Sequence, residues 1–461
     1  MTIFTSFFHG HNTIVMSAST FFASLLITIG VAAQPYSVPP QDAPELASLG
    51  AFRVGVKTMT LTTPDQPDIP KIVMSGGQLM TSNRTLTVEV WYPAIAPADA
   101  TAVRYAAKLP RSKDHAGKGE FSAAGIALRD AAPVVDQRFP LVLVSHGFGG
   151  WGTFMSYLTE NLASKGYVVA AIDHADAPFN DGGSFALSFG STLVHRTRDQ
   201  QFVLKQLLSL AADKNDALGR TIDAAAIGII GYSMGGYGAL TTTGAGYDPM
   251  SPTFKQIPPA VMAAQTDAHA QFAESRPKNI KALVLIAPWG GQPANKAWTA
   301  SSLANIKAPT LLIAGDQDDI ADFKEGISYL FNELKGTTRN LLVFQNARHN
   351  TGGNPPPKEA MDDFVAREYF DEPVWRKDRI NAINQHFITA FLDLNLKGMK
   401  SRAGFLDLPT VKSSDAKWPT AFGQQTGGNF ATGTNDTAQY WRGFQRRWAL
   451  GLEFHRKTAG Q

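Results

Sequence analysis

No cysteine occurs in this 461-residue chain, so disulfides, a cysteine nucleophile and thiolate metal sites are all excluded. A dominant charge of one sign is missing too: 42 Lys and Arg against 39 Asp and Glu leave a formal net charge of +3. The basic residues are scattered, apart from a loose group of Arg442, Arg446, Arg447, Arg456 and Lys457. With no basic stripe or reading motif beside it, that group reads as a solvated tail helix, and nucleic acid is not an expected partner. Long apolar runs are scarce. The main one, Phe21 to Ala33, has the length of a signal peptide and is too short to span a bilayer comfortably. Val31 and Ala33 supply the small residues of a cleavage site before Gln34, while the preceding region has His9 and His11 but no Lys or Arg, whether Met1 or Met16 is the start. A cleaved secretory signal over residues 1–33 is favoured over an uncleaved anchor. The expectation is a periplasmic or secreted protein with no stable membrane span.

What is there is ordinary globular composition, 44% hydrophobic and 18% charged, enough to build a large core without disulfides. Gln34 to Pro44 is proline-rich and extended. Phe52 to Leu61 and Leu86 to Tyr92 alternate in polarity and predict antiparallel strands. Ala94 to Ala132, alanine-rich and broken by glycine, predicts a surface excursion with a short helix. From Phe139 apolar strands alternate with helices: strands at Leu141–Val144, Tyr167–Ile172, Ala226–Ile230, Ala282–Ile286, Thr310–Ile313 and Leu341–Phe344, and helices at Phe154–Lys165, Arg196–Leu210 and Ala382–Leu396. Near-continuous Val, Ile and Leu runs mean strands buried on both faces. The expectation is an α/β fold, a mostly parallel sheet with antiparallel N-terminal strands and helices on both faces. Residues 34–400 form the predicted catalytic domain, with 247–277 as a cap insertion. Residues 401–461 form a C-terminal extension with a flexible centre, Gly423 to Thr437.

Gly231-Tyr232-Ser233-Met234-Gly235 follows the strand Ala226–Ile230 directly and leads through Gly236 into a predicted helix, Tyr237 to Thr243. A serine in a tight strand-to-helix turn has its hydroxyl pushed out above the sheet, and Gly231 and Gly235 leave room where strand and helix cross. In an open parallel sheet the functional groups gather at the C-terminal strand ends. One such end carries Ser145-His146-Gly147-Phe148-Gly149-Gly150-Trp151, a turn whose Phe148 N–H, with that of Met234, makes a two-donor oxyanion hole. His146 in that turn reads as a structural hydrogen-bonder. Another end carries Asp316, Asp318 and Asp319, of which Asp318 is assigned as the acid that orients the base. A third carries His349, a loop histidine downstream of the acid and the expected general base. His386 and His455 read as packing or surface residues. Trp151 and Trp289 are candidates for a substrate-binding wall, alongside the ordinary alternative of packing. Asp173-His174-Ala175-Asp176 suggests a metal only weakly, and a turn held by carboxylate caps is favoured.

These residues resemble the α/β-hydrolases, and within them the dienelactone-hydrolase-like and platelet-activating-factor-acetylhydrolase-like esterases. The resemblance rests on Val90-Trp91-Tyr92-Pro93, on Phe139 to Gly147, and on Leu162 to Ala170, and it runs from about Trp91 to His349. Asp318-Asp319-Ile320-Ala321 is also similar to the acid turn of polyester-cleaving cutinase-like enzymes. Dienelactone hydrolases proper use a cysteine where this chain has Ser233. The resemblance therefore implies ester hydrolysis through an acyl-enzyme, needing no cofactor and no metal. A small-molecule or polymeric ester is the expected substrate. The alternatives are a peptidase or amidase with the same triad, and a catalytically silent binding protein on the same scaffold.

Overall fold

The computed structural model describes residues 34–97, 99–109, 119–176, 184–255, 257–419, 430–431 and 437–461. The signal-peptide expectation and nearly all of the Gly423 to Thr437 segment lie outside them. Residues 34–461 form one compact unit.

An eleven-stranded sheet runs through the centre. Its nine longer strands are β1 (Arg53–Pro67), β2 (Thr81–Ile95), β3 (Phe139–Ser145), β4 (Val168–Asp173), β5 (Ile222–Tyr232), β6 (Ile280–Ile286), β7 (Thr310–Gly315), β8 (Arg339–Phe344) and β9 (Leu452–Lys457). Their order across the sheet is β9-β8-β7-β6-β5-β3-β4-β2-β1. The six strands from β3 to β8 pair in parallel. β1 and β2 form an antiparallel hairpin docked antiparallel on β4, and β9 closes the other edge antiparallel to β8.

Every residue of β3, β7 and β8 is buried. With side chains alternating across the sheet, Val142 and Val144 enter one core layer and Leu141 and Leu143 the other. Helix α1 (Ser156–Ser164) and the long helix α4 (Lys377–Leu396) cover the first layer. Helices α2 (Phe185–Ala212) and α3 (Met234–Thr243) cover the second. This is the architecture predicted from the apolar runs.

Three segments depart from their predicted form. Helix α2 starts eleven residues before the predicted Arg196, because Ser184 caps it by accepting from the Leu187 N–H. Where a short helix was expected, the described part of 94–132 holds an antiparallel pair, Arg104–Lys108 with Glu120–Ala124. Glu160 of α1 anchors this excursion, accepting from Tyr105 Oη and from the N–H groups of Ile126 and Ala127. The basic tail is not a solvated helix: Arg456 and Lys457 lie in β9, and Arg442, Arg446 and Arg447 lie in turns ahead of it. Phe454 stacks on Phe387 of α4 with ring centroids 5.3 Å apart, so burial of apolar surface overrides the charge pattern. The 247–277 segment packs on α2 and α3: Tyr247 donates to or accepts from Thr197 at 2.8 Å and stacks on Tyr237, and the Val261 carbonyl accepts from Arg198.

Candidate active site

β5 ends at Tyr232 and α3 begins at Met234, so Ser233 alone makes the turn, with φ 51° and ψ −114°. A positive φ in a residue with a Cβ costs on the order of 1–3 kcal/mol. The fold holds it there: the Ser233 N–H donates to the Ile286 carbonyl at 2.9 Å, and its own carbonyl accepts from Tyr237 N–H at 3.0 Å and Trp289 N–H at 3.3 Å. The flanking glycines are needed for space. A Cβ on Gly235 would overlap the Ser145 carbonyl, and one on Gly231 would overlap the Gly235 backbone.

His349 follows β8, and its Nε2 lies 3.0 Å from Ser233 Oγ. Its Nδ1 lies 2.9 and 3.0 Å from the two oxygens of Asp318, after β7. With Nδ1–H donating to the carboxylate, Nε2 is left to accept the serine proton. Asp318 is fixed in turn by the N–H groups of Ile320 and Ala321, which donate to Oδ1 at 3.0 and 2.8 Å. The competing aspartates face elsewhere: Asp316 accepts from the Asn346 N–H at 2.7 Å, and Asp319 pairs with Arg348.

Glu372 was invisible in the sequence. Its two carboxylate oxygens accept from the N–H groups of Arg348 and Asn350, both at 2.6 Å, gripping the chain on either side of His349. Burial raises its pKa, against the pull of those N–H groups and of Lys377. Lys377 also donates to the Asn350 carbonyl. No local pattern marks a carboxylate so far along the chain as a partner of this loop.

The glycine-rich turn after β3 lies against the nucleophile, and a Cβ built on Gly147 would sit 3.2 Å from that of Ser233. Met234 is the first residue of α3, where an N–H has no acceptor within the helix. His146 is buried, with Nδ1 2.7 Å from the Gly147 carbonyl, and its Nε2 accepts from the His174 N–H at 3.2 Å. Asp173, His174 and Asp176 do not converge on one point. His174 turns inward between Ser145 Oγ (2.7 Å) and Asp199 (2.8 Å), while Asp176 accepts from Arg196. The His174–Asp199 hydrogen bond and the Arg196–Asp176 ion pair hold this turn, and Asp173 accepts from the backbone of Gly152 as a carboxylate cap would. Burial, followed by the Arg196 charge, pushes His174 down to about 3, so it is neutral. Among the described residues no group of three or more His, Asp or Glu is arranged to hold a metal ion.

The two candidate tryptophans fall into different aromatic clusters. Trp289 is buried with its ring edge-on to Phe189 at 5.4 Å, and Phe189 continues to Phe148 and Phe185. The unforeseen first turns of α2 supply Phe185 and Phe189. Trp151 packs on Phe154 at 4.9 Å and stacks on Tyr369. Phe154 stacks in turn on Tyr232, whose ring lies 5.5 Å from His349. Tyr369 joins the two clusters by donating to the Phe148 carbonyl at 3.2 Å.

A central parallel sheet, a serine in a strained turn at the end of β5, and acid and imidazole at the ends of β7 and β8 are the arrangement of an α/β-hydrolase fold. A family model described as platelet-activating factor acetylhydrolase, isoform II, matches residues 127–180. The chain is 25% identical over 218 residues to cutinase est1 of Thermobifida alba, covering 47% of this chain and 55% of that protein. It is 24% identical over 215 residues to a bis(hydroxyethyl) terephthalate hydrolase of Streptomyces coelicolor, covering 46% and 51%. To bovine (Bos taurus) platelet-activating factor acetylhydrolase it is 29% identical over 142 residues, covering 23% and 32%. The chain thus spans about half the length, or less, of these curated relatives. A solved ferulic acid esterase from Streptomyces cinnamoneus superposes with a TM-score of 0.50 at 22% identity, over 80% of this chain and 94% of that one, which shows the fold.

Proposed function

We propose that this chain is an exported serine esterase. Ser233 Oγ attacks the ester carbonyl carbon while its proton passes to His349 Nε2. Asp318 keeps the imidazole in the required tautomer and stabilises its charged form. The N–H groups of Phe148 and Met234 receive the oxyanion. The alcohol leaves with the proton from His349, and water then cleaves the acyl-enzyme with the same histidine as base.

The single observation that carries this reading is the unbroken hydrogen-bonded chain from Ser233 Oγ through His349 to Asp318, at 3.0 and 2.9 Å. The names of the relatives, all ester-cleaving proteins, add support. The aromatic cluster of Phe148, Phe189 and Trp289, tied to the nucleophile by the Trp289 N–H on the Ser233 carbonyl, favours an ester with an apolar part. For export, the support is the apolar run ending at Ala33.

The test is hydrolysis of short p-nitrophenyl esters by the purified protein and by Ser233→Ala. The variant is expected to lose activity by roughly 10⁴-fold or more. Equal rates for the two proteins would overturn the reading.

A further inference from the structure

The Gly147 carbonyl oxygen is the most heavily hydrogen-bonded atom of the turn beside Ser233. It accepts from His146 Nδ1–H at 2.7 Å, from Arg196 Nη2–H at 3.1 Å and from the Gly150 N–H at 3.2 Å. The Gly147–Phe148 peptide is planar and trans, so its N–H, that of Phe148, points opposite to the carbonyl. Fixing one end of that peptide fixes the other. We propose that His146 and Arg196 are positioning residues for the oxyanion site, holding the Gly147 carbonyl into the protein so that the Phe148 N–H faces the space above Ser233. This rests on the reading of Phe148 as an oxyanion donor.

The support behind the two donors is continuous. His146 donates through Nδ1, so its Nε2 must be the acceptor for the His174 N–H, and the two contacts require the same tautomer. His174 is held by Asp199 on one side and Ser145 on the other. Arg84 grips Asp199 with two hydrogen bonds, at 2.7 and 2.8 Å. Arg196, fully buried, is held at its other contact by Asp176 at 2.6 Å. Burial works to raise the pKa of Asp199, but Arg84 and then His174 outweigh it and hold that carboxyl below the usual range. Burial holds His146 neutral. Two strand ends and one helix thus brace a single peptide plane.

The test compares wild type, Ser233→Ala, His146→Leu, His146→Asn and Arg196→Lys as full chains. Each is assayed for kcat and KM on p-nitrophenyl acetate and for inhibition by an alkylboronic acid, which forms a tetrahedral adduct on serine. Leucine removes the donor at nearly constant size, whereas asparagine can place an amide N–H where Nδ1 stood. Arg196 reaches both Asp176 and Gly147 through Nη2, which the lysine ammonium, on a side chain one bond shorter, does not reach. His146→Leu and Arg196→Lys are expected to lower kcat by about 10- to 100-fold, less than the about 10²–10³ for deleting an oxyanion donor outright. KM should stay within about twofold, boronate affinity should fall in parallel with kcat, and His146→Asn should recover most of kcat. A folded His146→Leu with wild-type kcat overturns the proposal, as does a kcat loss shared equally by Leu and Asn, or one without a change in boronate affinity. If His146→Leu fails to fold, Arg196→Lys is read by the same criteria. A wild type that cleaves no ester, or an active Ser233→Ala, defeats the esterase reading instead.

Discussion

The Asp318 carboxylate meets the His349 imidazole with both oxygens, 2.9 and 3.0 Å from Nδ1. A carboxylate in that place accepts only, so the imidazole must present Nδ1–H to it and a lone pair to Ser233. In Asp318→Asn an amide N–H competes for Nδ1 and favours the other tautomer, while Oδ1 can still accept from Ile320 and Ala321. The expected result is a fall in kcat of roughly 10³–10⁴-fold with the fold intact. Steady-state ester kinetics beside a circular dichroism spectrum check it; a loss under tenfold would remove Asp318 from the proposed triad.

Glu372→Ala leaves the N–H groups of Arg348 and Asn350 without their acceptor. Each unpaired buried donor costs about 1–3 kcal/mol, and the loop carrying His349 gains freedom. We expect a drop in kcat of about tenfold or more at nearly constant KM, with a lower urea midpoint. Unchanged kcat together with a lowered midpoint would make Glu372 structural only.

Gly235→Ala places a Cβ against the Ser145 carbonyl, which belongs to the buried strand β3 and has nowhere to move. Overpacking against backbone is expected to cost about 3 kcal/mol and to shift the turn that aims Ser233. Urea unfolding and ester kinetics should both register the change; a variant as stable and active as wild type would contradict the described packing.

His386 of α4 is buried, and its Nδ1 accepts from the Leu46 N–H at 3.1 Å. Burial, aided by the Lys165 charge, depresses its pKa from 6.5 to about 3. Between those two values the unfolded chain binds a proton that the folded chain does not. Its contribution to stability is therefore full above pH 6.5 and is lost as pH falls toward 3, at about 1.4 kcal/mol per pH unit. His386→Asn keeps an acceptor near the same place without the titration. Its stability should fall less steeply than wild type's between pH 6 and 4, by about one proton's worth. Parallel curves from urea unfolding at several pH values would refute this.

The parallel strands, the elbow around Ser233 and the loop positions of Asp318 and His349 were legible because each is local: an apolar run, a glycine spacing, a polar group at a strand end. Glu372 and Arg196 were not, since a charged residue in a helix or loop carries no sign that it will meet a backbone group from a distant part of the chain. Phe185 and Phe189 were missed because the period that marks α2 is clear only from Arg196 onward. The tail misled for the opposite reason. Its charges are conspicuous, while Trp441, Leu452 and Phe454, which bury it, are spread thinly along the sequence.

β9 bears on how the chain is made. It pairs with β8, the strand that leads into His349, and Arg339 of β8 donates to the carbonyl of Thr458, 119 positions away. During synthesis from the N-terminus, residues 34–350 can emerge with every proposed catalytic group present while the outer edge of β8 still has no strand to pair with. An unpaired apolar edge of that kind invites pairing with another chain. On the ribosome, the strand that leads to the proposed base is thus the last of the parallel strands to be protected, and ribosome-bound nascent chains cut short before Leu452 should be the ones that depend on chaperones.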